Sequence, residues 1–221
     1  MYMVPKKESL DREFYFGEKA EFYAKSKWMA RNQMKSTRRA LELLEDPRIG
    51  GKLSKSSKNL LVLDMGCGSG FSSRIIEDEG FHLIGLDNSF DMLKKNVEKT
   101  SPYKRNLVCG LIEALPFRKN TFNIIISISA FNFILEKKDQ KNKKKILKNV
   151  TSVLHTVLES NGRIVIEFYP KKIDVPLYME SLKTDFEGGL IIDNPNQRKE
   201  QKFLILRQKR PDKKIAQSKI F

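Results

Sequence analysis

The chain has 221 residues, with 42 Lys and Arg against 27 Asp and Glu, a net charge of +15 and a pI near 9.7. That length suits one domain with short additions, and 40% hydrophobic with 31% charged residues is a globular rather than a disordered balance. Two cysteines and two histidines exclude a disulfide scaffold and a cysteine-rich zinc cluster, so no metal site is expected.

The opening MYMVPKK has no apolar h-region, and residues 1–13 read as polar and loosely held. Residues 18–45 read as one long helix. Tyr23, Ala30, Met34, Thr37, Leu41 and Leu44 share one face, and Lys27, Arg31, Lys35 and Arg38 a neighbouring one. Pro47 and Gly50–Gly51 end it, and a Ser/Lys loop runs to 58. A buried-type strand is expected over 59–64, a helix over 72–79 closed by Gly80, and a second strand over 82–87. Ser89 can cap a helix through Glu98. Short strands follow at 106–109 and 122–128.

A lysine-rich stretch, 137–145, then leads into a helix to about Glu159, with Ile146, Leu147, Val150, Val153, Leu154, Val157 and Leu158 on one stripe. Asn161–Gly162 predicts a turn into a fifth strand, 163–168. A short helix near 175–183 and two strands, 189–193 and 202–207, complete the pattern. Alternation of strand and helix predicts an α/β fold with a mostly parallel sheet, and the last two strands an antiparallel edge. The apolar run 122–135 is broken by Asn and Ser and too short to span a bilayer, so a soluble, cytoplasmic protein is expected.

The positive charge is clustered. Six basic residues and no acid lie between Lys25 and Arg39, seven lysines and one Asp between Lys137 and Lys148, and nine basic residues against two acids between Arg198 and Lys219. Such clusters favour a polyanion, and nucleic acid ahead of membrane, since no basic helix face adjoins a spare bulky apolar one. A solvated surface is the competing reading, strongest for 137–145.

The chemistry-bearing motif is DMGCGSG at 64–70, between an apolar strand and a helix. Gly66 and Gly68 let the backbone turn sharply and approach a ligand. The spacing Gly-x-Gly-x-Gly is not that of a dinucleotide loop, and no Lys-Ser/Thr pair makes it a P-loop. Asp64 beside the loop would repel a pyrophosphate and suits a ligand bearing an ammonium group. Asp87, 21 positions after Gly66, ends the second strand where it can accept hydrogen bonds from ribose hydroxyls.

VLDMGCGSG at 62–70, IGLD at 84–87 and ALPF at 114–117, in that order, resemble the class I S-adenosylmethionine-dependent methyltransferases. FY at 14–15, RALELL at 39–44, SISA at 127–130, YP at 169–170, FEGG at 186–189, DNPN at 193–196 and KF at 202–203 are similar to the branch that methylates guanine N7 in small-subunit ribosomal RNA. The resemblance implies a Rossmann-like seven-stranded sheet, S-adenosyl-L-methionine as donor, ribosomal RNA as substrate, and a small zinc-binding activator protein paired with an edge strand. It implies a segment, 1–45, capping the donor pocket of a methyltransferase domain over 46–221. It also implies that Gly66, Gly68 and their neighbours Cys67, Ser69 and Gly70 hold the methionine moiety, Asp87 the ribose and the Ile112 N–H the adenine, with Asn88 and Met92 among the further donor-binding residues. Ser127 and Ile128 would floor the methyl group and Tyr23 would close over the donor. Leu111 stands where an acid often bonds the adenine amino group, and Glu113 is the substitute candidate.

Chemistry narrows the acceptor. Pyrimidine C5 methylation needs a cysteine nucleophile, and Cys67 and Cys109 are not placed for one. Guanine N7 carries a lone pair and no proton, so it needs alignment and no general base. Phe131, Asn132 and Phe133, with Asn194 and Pro195, are the candidate acceptor wall, core packing being the equal alternative for the two phenylalanines. Lys27, Arg31, Lys35 and Arg38 are the candidate RNA grip. A tRNA or small-molecule methyltransferase of the same fold, and a non-catalytic RNA-binding assembly factor, are the competing functions.

Overall fold

The structure, a computed structural model, describes residues 15–53, 59–98, 105–136 and 139–209. The expectations for residues 1–13, the loop at 54–58, Lys137, Lys138 and the tail beyond 209 lie outside the described residues.

Seven strands form one sheet: β1 Leu61–Met65, β2 His82–Asp87, β3 Asn106–Cys109, β4 Phe122–Ser127, β5 Leu158–Glu167, β6 Phe186–Asp193 and β7 Gln201–Gln208. Their order is β3-β2-β1-β4-β5-β7-β6. The first five are parallel and β7 runs antiparallel to both β5 and β6, as the short final connection requires. The central strands are Leu, Ile and Val runs buried on both faces, the pattern of a parallel sheet covered by helices. The helices are α1 Glu18–Lys25, α2 Lys27–Leu43, α3 Phe71–Asp78, α4 Phe90–Glu98, α5 Gln140–Val157 and α6 Val175–Leu182.

One core layer joins α5 and α6 to the sheet through Leu147, Val150, Leu154 and Tyr178. The other joins α2 to the opposite face, where Ala40, Leu43 and Leu44 pack with Val62, Ile124 and Val165. Arg163, buried at the start of the core part of β5, donates to the carbonyls of Leu44 and Gly51 and ties the end of α2 to the sheet. No helix among the described residues is long and apolar enough to cross a membrane.

Two expectations are corrected. The helix expected over 18–45 breaks at Ser26, which is extended (φ −70°, ψ 107°) because its Oγ accepts the Met29 N–H and starts a new helix. Asn161–Gly162 makes no turn outside the strands. Phe122 pairs with Leu158 and Ile124 with Arg163, so both residues sit in a bulge of β5 and α5 passes directly into that strand.

Candidate donor and acceptor site

The parallel strands all end at one edge of the sheet, and the order reverses between β1 and β4. Such a switch point opens a crevice beyond the strand ends. Here a cleft of about 790 Å³, part of it open to solvent, is lined by Gly66, Gly68, Asp87, Asn88, Ile112, Glu113, Ile128 and Tyr23 from the expected set.

The glycine loop forms one wall. Gly66, Gly68 and Gly70 have φ of 82°, 52° and 84°, which only glycine adopts freely. A Cβ on Gly66 would stand 2.1 Å from the Ala130 Cβ, so the loop also needs glycine to pass the segment after β4. Gly66 and Cys67 N–H donate to the Leu86 carbonyl, and Gly68 N–H to Asp87 Oδ2 at 2.8 Å. Ser89 N–H occupies Asp87 Oδ1 at 2.8 Å. Each carboxylate oxygen keeps a second lone pair for a hydroxyl donor. Burial raises the Asp87 pKa, and the backbone N–H bonds oppose that.

Asp64 lies beneath the loop, wholly buried. Its Oδ2 accepts from Ser72 Oγ and Ser73 Oγ, both at 2.7 Å, while buried Oδ1 has no hydrogen-bond partner among the described residues. Burial pushes its carboxyl up to about 6 despite the two serine hydroxyls.

Tyr15 covers the opposite side. Its carbonyl accepts from Ser89 Oγ at 2.7 Å, and its ring meets Tyr23 and Phe133 edge-on at 5.4 and 6.2 Å. The helix break at Ser26 lets Gln33 Nε2 turn back and donate to the Tyr23 hydroxyl. Burial raises the pKa of both tyrosines, so they stay protonated.

Several expected site residues stand elsewhere. Cys67 and Ser69 are buried under the loop, and burial raises the Cys67 thiol. Gly70 packs against Asn96 and Arg105, and Met92 behind Gly68. Ser127 is buried and donates to the Met65 carbonyl at 2.8 Å, and Leu111 is exposed outside the cleft lining.

The expected acceptor wall is divided. Phe133 lines the cleft. Phe131 is fully buried against Tyr178, at 5.7 Å between ring centres, so core packing takes it. The Asn132 side-chain oxygen accepts the Tyr169 N–H at 2.8 Å, which explains a polar residue in that apolar run. Asn194 and Pro195 sit in the turn between β6 and β7, where Asn194 lines a second groove with Lys35, Arg38 and Arg39. Lys27, Arg31, Lys35 and Arg38 are all exposed along α2.

Tyr15, Gln33, Ser129 and Ala130 also line the cleft and were missed. FY at 14–15 and SISA at 127–130 were the available signals. Ser129 has φ 56°, and its Oγ donates to Glu167 Oε2.

The cleft fits an adenosine-bearing cation. It offers the Asp87 carboxylate at the tip of β2, a Gly66 cradle that tolerates no Cβ and an apolar Ile112–Ile128 lining; Asp64, expected at the site, does not line the cleft but lies buried beneath the loop with one oxygen unpartnered among the described residues.

Residues 63–166 match the family model described as a methyltransferase domain. The 18S rRNA (guanine-N(7))-methyltransferase of Bos taurus is 32% identical over 87% of this chain and 66% of its own length. The 18S rRNA (guanine(1575)-N(7))-methyltransferase of Saccharomyces cerevisiae is 35% identical over 82% and 64%. The chain thus spans about two thirds of the length of these curated relatives. Among solved structures, magnesium protoporphyrin IX methyltransferase from Synechocystis, with bound S-adenosylmethionine, superimposes with a TM-score of 0.59 (14% identity; 91% of this chain, 99% of that one). A Haloferax volcanii methyltransferase solved in complex with the Trm112 activator gives 0.60 (16% identity; 86% and 96%). The chain belongs to the class I S-adenosylmethionine-dependent methyltransferases, and its likeness to their 18S rRNA guanine-N7 branch extends over more than four fifths of its residues.

Proposed function

We propose that the chain transfers a methyl group from S-adenosylmethionine to N7 of a guanine in small-subunit ribosomal RNA. The observation that carries this reading is the ionisable lining of the cleft: two carboxylates, Asp87 and Glu113, and two tyrosines held protonated by burial. N7 has no proton to lose, so such a lining is sufficient. The likeness to the guanine-N7 enzymes supports the same acceptor.

When bound, the donor supplies a sulfonium methyl group for direct in-line transfer. Asp87 would accept its ribose hydroxyls and the Ile112 N–H would meet its adenine. The Asp64 carboxylate would favour its ammonium group through the glycine loop. Ile128 and Ala130 would exclude water from the transfer path, and alignment to within about 3–3.5 Å supplies the main rate gain. Phe133 and Tyr15 are the rings available to stack the guanine. In an A-form helix N7 lies in a groove too deep and narrow for a side chain, so the base enters unpaired or extruded.

A small zinc-binding activator of the Trm112 type completes the proposal. It would pair along the free edge of β3, the outer strand on the donor side of the sheet. The cytoplasmic location expected from the sequence belongs to this proposal as well.

The test is mapping of N7-methylguanosine in small-subunit ribosomal RNA by borohydride–aniline cleavage. One cleavage present in wild-type cells and missing without this protein is expected. Intact modification in cells lacking it overturns the reading.

A further inference from the structure

Trp28 is the chain's single tryptophan, and it is 62% exposed in the first turn of α2. A lone exposed apolar residue needs no explanation by itself. Its setting does. Trp28, Arg31, Lys35 and Arg38 recur at helical spacing and form one solvent-facing row, about 15 Å long at 1.5 Å per residue.

Arg39, one position on, is held by Asp193 and Glu42. Arg31, Lys35 and Arg38 have no ion-pair partner among the described residues. Phe22, 69% exposed across the Ser26 break, stands instead on α1, where Glu18 and Glu21 balance Lys19 and Lys25 and leave no excess of cations.

The row also connects two places. At its start, the α1–α2 elbow carries Tyr23 into the donor cleft. At its end, Lys35 and Arg38 line the groove that Asn194 closes from the β6–β7 turn. One aromatic face followed by a ladder of free cations is the composition of a single-stranded nucleic-acid track, in which bases stack and phosphates are gripped. A lipid surface would call for a broader apolar face.

We propose that Trp28 is a stacking platform for an unpaired RNA base adjoining the target guanine, with Arg31, Lys35 and Arg38 gripping the phosphates that follow. This rests on the RNA reading above and names the surface that would hold the strand.

The single tryptophan makes the test direct. The full chain is titrated with a fluorescein-labelled single-stranded RNA, following both label anisotropy and tryptophan emission. Emission should be quenched with the same midpoint as the anisotropy rise. Trp28→Ala should weaken binding about tenfold, and Trp28→Phe should restore most of it. Binding with emission unmoved and Trp28→Ala unchanged overturns the platform but leaves the RNA reading intact. Absence of RNA binding together with unaltered N7-methylguanosine in cells lacking the protein removes both. Emission that responds to protein concentration or to anionic vesicles but not to RNA assigns the face elsewhere and overturns the proposal.

Discussion

Ser129 Oγ donates to Glu167 Oε2 at 2.6 Å, across 38 positions of sequence. The other carboxylate oxygen accepts from Ser36 Oγ of α2 at 2.7 Å, and Gln201 Nε2 of β7 donates to that same hydroxyl at 2.9 Å. One buried carboxylate at the tip of β5 thus fastens the cleft segment after β4 to the covering helix. Ser129 has a left-handed φ of 56°, a conformation that costs about 1–2 kcal/mol and persists only when the surroundings hold it.

Glu167→Ala should therefore lower stability by about 1–2 kcal/mol, by leaving the buried Ser36 hydroxyl without its acceptor and releasing the exposed Ser129. Donor affinity should fall as well, because Ser129 and Ala130 would relax out of place. Urea unfolding and calorimetric donor titration measure the two effects. Unchanged values in both would contradict the fastening role.

Gly66→Ala should cost at least about 2 kcal/mol and abolish donor binding, since its Cβ would stand 2.1 Å from that of Ala130 at a φ of 82°. Ala130→Gly on the Gly66→Ala background should recover part of the stability by removing the clash. The residual loss reports the backbone strain. A double variant no better than the single one would show that the contact is not the cause.

Asp64 gives a pH dependence. Burial raises its carboxyl from 3.8 to about 6, so between those values the folded chain binds more protons than the unfolded chain. Its contribution to stability therefore falls as pH rises from about 4 to 6 and stays low above that. The difference amounts to roughly 3 kcal/mol. Asp64→Asn escapes this cost. It should melt above the wild type at pH 7, match it near pH 4, and bind the cationic donor more weakly. Parallel melting curves for the two proteins across that interval would refute a raised Asp64.

The row on α2 should appear in the salt dependence of RNA binding. Lys35→Gln should reduce the slope of log affinity against log salt by about 0.7, the value for one released counterion on a single strand. An unaltered slope would place the phosphates on another surface.

The sheet was legible because its signals are local. The apolar runs of β2 and β3 are bounded by polar or glycine residues, and Ser89 does accept the Met92 N–H at the start of α4. The glycine loop and Asp87 were legible for the same reason, each sitting at the end of an apolar strand. The acceptor side was not. Phe131 and Phe133 are two positions apart in one short 3-10 turn, and only their tertiary neighbours decide that one enters the core and the other the cleft. Asn132 read as functional because its partner, the Tyr169 N–H, is 37 positions away. The break at Ser26 was missed because the apolar period continues across it, and a single serine hydroxyl decides the local conformation.

The most direct measurement is calorimetric titration of S-adenosylhomocysteine into the wild type and into Asp87→Ala. One molecule per chain should bind the wild type, with affinity lowered at least about tenfold in the variant, which lacks the ribose-clasping carboxylate. Equal affinity in the two proteins, or no binding to a folded wild type, would contradict a donor site between the glycine loop and the tip of β2.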